Sequence, residues 1–171
     1  VDWKIMSGDR QRQMPLTMPF VLGVDLSGVV REVGEGVTEF APGDPVWAVV
    51  NQDQPGGYQE VNAVDMGVVS FKPKNVSHVE AAALALTGLT AMVAIDDTAG
   101  LKPGEKILVQ GGAGGVGSFA VQAAKAMGAE VFATCSERNI DYLRSLGVDH
   151  VIDYTKGDFR DSVPPVDIVF D

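Results

Sequence analysis

The stretch Ile107-Leu-Val-Gln-Gly-Gly-Ala-Gly-Gly-Val-Gly117 decides the fold of this chain. It begins as an apolar strand and continues into Gly112-x-Gly114-x-x-Gly117, and a helical pattern follows directly. In such a loop one glycine turns the chain off the strand, the next removes a Cβ that would block a pyrophosphate, and the last lets helix and strand pack closely. The N–H groups at the start of the helix face the anion. We therefore predict dinucleotide binding; the alternative is a structural turn with surplus glycines. The candidate contacts are Gly112, Gly114, Gly115, Val116 and Gly117.

Apolar strands alternate with helices around this loop. Because parallel strands need crossover connections, this alternation predicts a parallel sheet with right-handed crossovers. The predicted strands are 106–110, 130–134, 150–152 and 166–170, and the predicted helices are 116–127 and 137–145, with a short helical turn within 158–163.

The first half of the chain has a different pattern, with short runs of β-type residues separated by Gly and Pro turns. It predicts a small, irregular β-barrel. Ser77 and Glu80 have the spacing of a helix capping box and lead into the Ala-rich run 81–86, and a second helical stretch is predicted at 89–97. We place the domain junction near residue 80, which gives domains 1–80 and 81–171. The predicted strand runs are 28–33, 46–50, 58–61 and 68–71.

Composition excludes several classes of protein. The 171 residues contain 13 Lys plus Arg against 23 Asp plus Glu, so the net charge of -10 argues against a nucleic-acid partner. Cys135 is the only cysteine, which excludes an internal disulfide and a multi-cysteine zinc site. The longest apolar runs fall short of the roughly 20 residues of a membrane span, so we expect a soluble protein with no membrane partner. The single cysteine fits a reducing compartment, so we expect a cytoplasmic protein, with organelle targeting as the alternative. Both ends of the sequence look cut.

The residues after the second predicted strand bear on the choice of cofactor. An Asp or Glu at its tip would accept hydrogen bonds from the adenosine ribose and repel a 2′-phosphate. This chain reads Thr134-Cys-Ser-Glu-Arg138, in which Ser136 can donate to a phosphate and Arg138 can pair with it. This favours NADP, although Glu137 would serve NAD if the register shifts by one residue. Ser136 could also simply cap the following helix.

The sequence resembles the medium-chain dehydrogenase/reductase superfamily, specifically its quinone oxidoreductase (ζ-crystallin-like) branch. The resemblance implies an α/β chain in which a GroES-like β-barrel catalytic domain precedes a Rossmann parallel sheet, here truncated at both ends. In this family NADP(H) binds between the two domains. The matching stretches span almost the whole chain: residues 23–34, 40–46, 81–91 and 111–117.

The resemblance also bears on metal use. Zinc-dependent members carry Gly-His-Glu where this chain has Gly23-Val24-Asp25, and they use an upstream cysteine ligand. Valine has no lone pair for a metal, so we expect no metal site. His78 and His150 are interpreted as ordinary surface or helix-start residues. Without a Lewis acid, reduction of an activated, conjugated carbonyl is the favoured chemistry.

Three further residues take candidate roles from the resemblance. Lys4, in Asp2-Trp3-Lys4, corresponds to a lysine near the nicotinamide ribose and the substrate carbonyl, with a solvated lysine at a frayed end as the alternative. Thr90 matches a threonine beside the nicotinamide, unless its hydroxyl only bonds within its own helix. Tyr154 matches a position near the adenosine 2′-phosphate, with packing at a strand end as the alternative.

The resulting expectation is a zinc-independent reductase that transfers hydride from NADPH to a quinone or an α,β-unsaturated carbonyl. An enoyl-thioester reductase and a non-catalytic NADPH-binding or structural protein are the alternatives. The full-length protein is expected to be a homodimer. Because strand 166–170 leaves an unpaired sheet edge, we expect the 171-residue chain by itself to be inactive.

Overall fold

The computed structural model describes residues 2–9, 11–13, 15, 17–51 and 56–171. The chain divides into two compact units, Val1–Leu86 and Thr87–Asp171. The division therefore lies past residue 80, inside a helix that begins at His78. The junction predicted near residue 80 falls in the first turn of this helix, and residues 78–86 belong to the first unit.

The first unit contains a helix α1 (Asp2–Met6) and a three-stranded antiparallel sheet in the order β1-β2-β3. The strands are β1 (Asp25–Val29), β2 (Pro45–Val49) and β3 (Val69–Phe71). A short 3₁₀ turn, Met66–Val68, leads into β3. The sheet therefore uses three of the four predicted runs, and β1 starts and ends earlier than predicted.

The fourth predicted run, 58–61, is not a strand. Its backbone turns back on itself, since the Gln59 N–H donates to the Gly57 carbonyl over 2.8 Å. The side-chain amides of Gln59 and Asn62 both donate to the Gly56 carbonyl. These local bonds take the place of a strand ladder, which the alternation of residue types alone did not reveal.

Helix α2 (His78–Met92) begins with the predicted capping box. The Ser77 N–H and hydroxyl both donate to Glu80 Oε2, over 2.7 and 2.8 Å, and the Glu80 N–H approaches Ser77 Oγ at 3.3 Å. These bonds hold the pKa of Glu80 below its usual value. The first turn of the helix is therefore closed by its own side chains.

Helix α2 continues directly into a π-helical segment, Val93–Thr98, so the two predicted helical stretches are one run. Gly88 does not interrupt it, because the absent side chain makes room for Phe119, whose ring would lie 3.2 Å from a Cβ there. The combined run His78–Thr98 has 21 residues and, by length and composition alone, could cross a membrane. Core helices of soluble proteins can be equally long and apolar, and Ala91 and Ile95 of this run are fully buried in the core of the second unit.

The second unit is a four-stranded sheet in which every neighbouring pair is parallel. Its order, β6-β5-β4-β7, places the third, second, first and fourth strands side by side, as in the first four strands of a Rossmann fold. The predicted strands and helices are confirmed to within two residues at each boundary, except that 3₁₀ geometry opens the second helix. The elements are β4 (Lys106–Val109), α3 (Gly115–Ala126), β5 (Glu130–Cys135), the 3₁₀ turn Glu137–Asn139, α4 (Ile140–Ser145), β6 (His150–Asp153), the 3₁₀ turn Phe159–Ser162 and β7 (Ile168–Phe170).

The sheet buries both faces, as the near-continuous apolar strands require. One face packs Ile107, Val109 and Val131 against α3 residues such as Ala120 and Val121. On the opposite face Leu108, Phe132 and Ile152 form a smaller cluster covered by Phe159, Val163 and Val166. This core holds the carboxyl ends of the strands in fixed register, which is where the glycine loop emerges.

Asp149 links α3 to β5 at the amino ends of the parallel strands, opposite the glycine loop. Its carboxylate accepts from Lys125 Nζ at 2.7 and 2.8 Å and from the Val131 N–H at 2.8 Å. Partial burial alone would raise the pKa of Asp149, but the bonds from Lys125 and Val131 outweigh it and hold the pKa below its usual value. Asp149 therefore stabilises the fold in its ionised form.

We expect Asp149→Asn to lower the free energy of unfolding at pH 7 by about 1 to 2 kcal/mol, a reduced value because the side chain is one-third exposed. Since the folded pKa is depressed, this contribution is present above the unfolded pKa and is lost as pH falls through the folded value. Urea unfolding from pH 7 down to pH 3 should show wild type and variant converging below about pH 4. Asp141→Asn, at an exposed carboxylate, is the matched control. A difference that persists undiminished at pH 3 would contradict the assignment.

Candidate functional site

The glycine loop leaves β4 at Gly111, which has a positive φ of 62°. Only glycine adopts such a conformation readily, so the sharp turn belongs to Gly111, one residue before the motif's first glycine. The Gly111 N–H donates to Thr134 Oγ1 over 3.0 Å, and the Gly112 N–H donates to the Thr134 carbonyl over 2.9 Å. Thr134 is 4% exposed at the end of β5 and therefore fixes the loop to the neighbouring strand. The sequence pattern alone does not indicate this role of Thr134.

Two glycines of the motif serve close packing inside the protein. A Cβ on Gly117 would lie 2.4 Å from the Gly111 carbonyl oxygen and 2.9 Å from Gly112 Cα, so α3 rests directly on the loop backbone. A Cβ on Gly112 would lie 2.9 Å from Ala133 Cβ. Gly117 thus has the predicted helix-packing role, and Gly112 packs against β5.

The N-terminus of α3 is open on its polar side. Gly114 occupies the N-cap position and provides no side-chain cap, and the first helical bond is from the Ser118 N–H to the Gly114 carbonyl at 2.8 Å. The helix geometry leaves the N–H groups of Gly115, Val116 and Gly117 without acceptors of their own in the helix. Gly114 and Gly115 are exposed. As glycines they have no side chain that could cover these N–H groups. An uncapped N-terminus of this kind fits the phosphates of a nucleotide.

The tip of β5 carries Ser136, Glu137 and Arg138 next to this loop. Ser136 is half-buried and occupies the N-cap position of the 3₁₀ turn, where its hydroxyl makes no cap bond. The Asn139 amide Nδ2 donates to Ser136 Oγ over 3.5 Å. Glu137 and Arg138 are exposed, and Glu137 Oε1 accepts from Lys156 Nζ over 2.8 Å. Across the described residues, Arg138 has no ion-pair partner.

The end of β6 lies beside the tip of β5, with Asp153 opposite Cys135 in the parallel register. Tyr154 extends that ladder, because its N–H donates to the Cys135 carbonyl over 3.1 Å, while its side chain is 53% exposed. The packing alternative for Tyr154 therefore does not account for its ring. Burial raises the pKa of the Cys135 thiol, which makes it an unreactive core residue.

The remaining candidates lie on α1 and α2. Thr90 is exposed on α2, one turn after Thr87, whose Cγ2 would lie 3.4 Å from a Cβ on Gly115. Thr90 thus belongs to the helix that flanks the glycine loop. Lys4 is in the first unit on α1, with its ammonium 5.5 Å from the centre of the Trp3 ring. The second unit therefore brings the glycine loop, Ser136, Arg138 and Tyr154 together at the carboxyl ends of the parallel strands. Lys4 belongs to the other unit.

Helix α1 is tied to its unit by Asp2. The Asp2 carboxylate accepts from the Gly23 N–H at 3.3 Å and from the Tyr58 hydroxyl at 3.2 Å. The negative charge of Asp2 raises the pKa of Tyr58, so the phenol stays protonated and donates. Gly23, with φ of 91°, leaves room for the Tyr58 ring, which would lie 2.5 Å from a Cβ. Lys4 is therefore on an anchored turn, although neither Tyr58 nor Asp2 was expected to anchor it.

Potential metal ligands are not gathered in the part of the chain that the structure describes. No group of three His, Cys, Asp or Glu side chains occurs there. His78 Nδ1 lies 2.7 Å from Ser27 Oγ, and His150 Nε2 lies 2.8 Å from Glu130 Oε1. Asp25, at the family's zinc-site motif, accepts from the Leu86 N–H over 2.6 Å.

The first unit also has an apolar cavity of about 400 Å³. Val29, Val61 and Met66 line it and are themselves exposed large hydrophobic side chains. None of the candidate site residues named above lines this cavity. The candidate site is therefore the carboxyl edge of the parallel sheet.

Comparisons with known proteins agree with this geometry. A family model described as "Zinc-binding dehydrogenase" matches residues 115–171, from the first residue of α3 to beyond β7. A chloroplast envelope quinone oxidoreductase homolog of Arabidopsis thaliana is 44% identical over 159 residues, which cover 90% of this chain and 48% of that protein. The mitochondrial NAD(P)H oxidoreductase RTN4IP1 of Homo sapiens is 42% identical over 160 residues, which cover 90% of this chain and 40% of that protein.

Solved structures show the same relationship. The quinone oxidoreductase from Coxiella burnetii superposes with a TM-score of 0.88 at 35% identity, over 99% of this chain and 55% of that chain. The chain spans about half the length of the curated relatives it matches.

Proposed function

The chain belongs to the medium-chain dehydrogenase/reductase superfamily, in its quinone oxidoreductase branch, and on this premise we propose a zinc-independent, NADPH-dependent reductase. Its substrate is a quinone or an α,β-unsaturated carbonyl compound, and the activity is that of the full-length protein. The observation that carries the proposal is the glycine loop at the end of β4, with the uncapped N-terminus of α3 behind it.

The residues around the loop would hold the cofactor. The N–H groups of Gly115, Val116 and Gly117 would bind the pyrophosphate, while Thr134 keeps the loop in the conformation that presents them. A bound nicotinamide cofactor supplies the hydride. Thr90, on the helix beside the loop, is proposed to contact the nicotinamide portion, as the family resemblance implies.

The preference for NADPH would come from the tip of β5. Arg138 can pair with the 2′-phosphate in bidentate fashion, and Ser136 can donate a further bond because its hydroxyl makes no cap bond. Tyr154 lies on the adjacent strand end with its ring exposed, so it can contact the adenosine end of the cofactor.

Lys4 is proposed as the catalytic donor to the substrate. Hydride addition to a conjugated carbonyl develops negative charge on oxygen, and an ammonium group aimed at that oxygen stabilises it. The hydrogen bonds from Gly23 and Tyr58 to Asp2 support this role, because they fix the turn that carries Lys4.

Zinc independence rests on the identity of the side chains. Val24 stands where zinc-dependent relatives have histidine, Cys135 is the only cysteine, and Asp25 is engaged by the backbone of α2. Valine cannot ligate zinc, so the oxyanion must be stabilised by hydrogen-bond donors. We therefore propose that this chain does not bind zinc, although the family model that it matches is described as a zinc-binding dehydrogenase.

We propose a homodimer when full length, with no nucleic-acid or membrane partner, and with His78–Thr98 as a core helix. The names of the two relatives place those proteins in the chloroplast envelope and the mitochondrion. The proposal therefore covers an organellar location as well as the cytoplasmic one expected from the sequence.

One assay separates the proposed function from its alternatives. NADPH oxidation by the full-length protein should be measured with 9,10-phenanthrenequinone, with a small enone and with crotonyl-CoA, and with NADH in parallel. We expect turnover with the quinone or the enone, with NADPH preferred. Faster turnover of crotonyl-CoA would establish an enoyl-thioester reductase instead, and tight NADPH binding without turnover of any of the three would establish a non-catalytic protein.

A further inference from the structure

Three charged groups meet at the edge of the candidate cofactor site. The ammonium of Lys156 lies 2.8 Å from Glu137 Oε1 and 3.7 Å from Asp153 Oδ2. Glu137 follows β5 and Asp153 ends β6, so Lys156 bridges the tips of two neighbouring strands. Glu137 holds the pKa of Lys156 above its usual value, as a cation between two carboxylates requires.

Asp153 is a fixed negative charge in this cluster. Its side chain is only 8% exposed, and Asp153 Oδ1 accepts from the Thr155 N–H and hydroxyl at 2.9 and 2.7 Å. These bonds hold the pKa of Asp153 below its usual value, so the carboxylate is ionised. Asp153 Oδ2 is buried and accepts no hydrogen bond from any residue that the structure describes. Lys156 is therefore the cation that balances it.

The charges matter because the same edge would hold a phosphate dianion. Glu137 and Asp153 are negative, whereas Arg138 and Lys156 are positive, so the four groups sum to zero. Without Lys156 the sum is -1, and Glu137 would be released next to Ser136. A carboxylate at the tip of the second strand accepts from the ribose hydroxyls of NADH and repels a 2′-phosphate.

We propose that Lys156 determines cofactor specificity by holding Glu137 away from the ribose and leaving Ser136 and Arg138 to the 2′-phosphate. Lys156 is thus a positioning residue that acts through Glu137. This inference rests on the proposed function, since it presumes that a nicotinamide dinucleotide binds at this edge.

The expected effect is moderate, because both side chains of the pair are largely exposed. An exposed ion pair contributes little to stability, so Lys156→Ala should leave the melting temperature nearly unchanged. A carboxylate freed beside a dianion costs more than the lost pair, because each of its interactions with the phosphate is repulsive. We expect the ratio of Kd for NADPH to Kd for NADH to rise about tenfold.

The test measures Kd for both cofactors in the full-length protein by titration of intrinsic fluorescence, for four variants and wild type. The variants are Lys156→Ala, Glu137→Gln, the double variant and Lys106→Ala. Lys106 is the control, because it forms a partly exposed ion pair with Glu130 at the other end of the parallel strands. Its substitution removes the same charge and should leave the ratio as in wild type.

The decisive comparison is between the single and double variants. If Lys156 acts through Glu137, the tenfold shift of Lys156→Ala disappears when Glu137→Gln is added. A shift that persists in the double variant would mean that Lys156 contacts the phosphate directly, and it would overturn the inference, as would an unchanged ratio in Lys156→Ala. A wild type that binds neither cofactor would refute the proposed function itself, and the two failures are therefore distinguishable.

Discussion

Gly117→Ala should abolish most activity of the full-length protein and destabilise it. The added Cβ would lie 2.4 Å from the Gly111 carbonyl oxygen, and backbone on both sides leaves no flexible side chain to give way. Helix α3 must then move off the loop, at a cost of about 3 kcal/mol in the free energy of unfolding. Because the N–H groups of that helix would bind the pyrophosphate, kcat/KM should fall by about a hundredfold or more.

Urea unfolding and NADPH titration measure the two effects separately. Gly34→Ala is the matched control, since a Cβ on Gly34 meets no atom within 4 Å and φ there is not positive. It should leave both measurements close to wild type. If Gly117→Ala binds NADPH as tightly as wild type does, α3 does not hold the pyrophosphate.

Arg138→Ala should weaken NADPH binding by roughly ten- to a hundredfold. A charge-assisted bond contributes about 1.5 to 3 kcal/mol, and Arg138 has no ion-pair partner among the described residues that would compete for its guanidinium. NADH binding should scarcely change, because NADH has no phosphate at this position. Kd for both cofactors, measured in wild type and variant, checks the prediction.

Arg144→Ala is the control for Arg138. Arg144 is similarly exposed, pairs with Asp141 on α4, and should affect neither cofactor. Equal losses of affinity for NADH and NADPH in Arg138→Ala, or a wild type that prefers NADH, would show that the tip of β5 does not bind the 2′-phosphate.

The regular parts of the fold could be predicted because their signals are local. The alternation of apolar strands and helices predicted the elements of the second unit to within two residues at each boundary except the start of α4, and Ser77 and Glu80 marked the start of α2. The region 58–61 was wrongly predicted as a strand. Its side-chain amides bond to Gly56, and such local bonds leave no trace in the hydrophobic pattern.

The site was predicted less completely, for a different reason. The glycine spacing identified the loop, but which glycine makes the turn depends on backbone conformation, and the positive φ is at Gly111. The contact of Thr134 with that loop and the pairing of Lys156 with Glu137 join residues that are far apart in the sequence. The parallel pairing of β4 with β5 brings Thr134 to the loop, and the pairing of β5 with β6 brings Lys156 to Glu137.

We propose that this protein transfers hydride to a quinone or enone without zinc. The most direct test of this proposal is the rate of NADPH oxidation by the better of these two substrates, measured on full-length protein with and without a strong chelator, together with the zinc content. We expect less than one zinc per subunit and the same rate in both conditions. One tightly bound zinc per subunit, lost together with the activity on chelation, would contradict it.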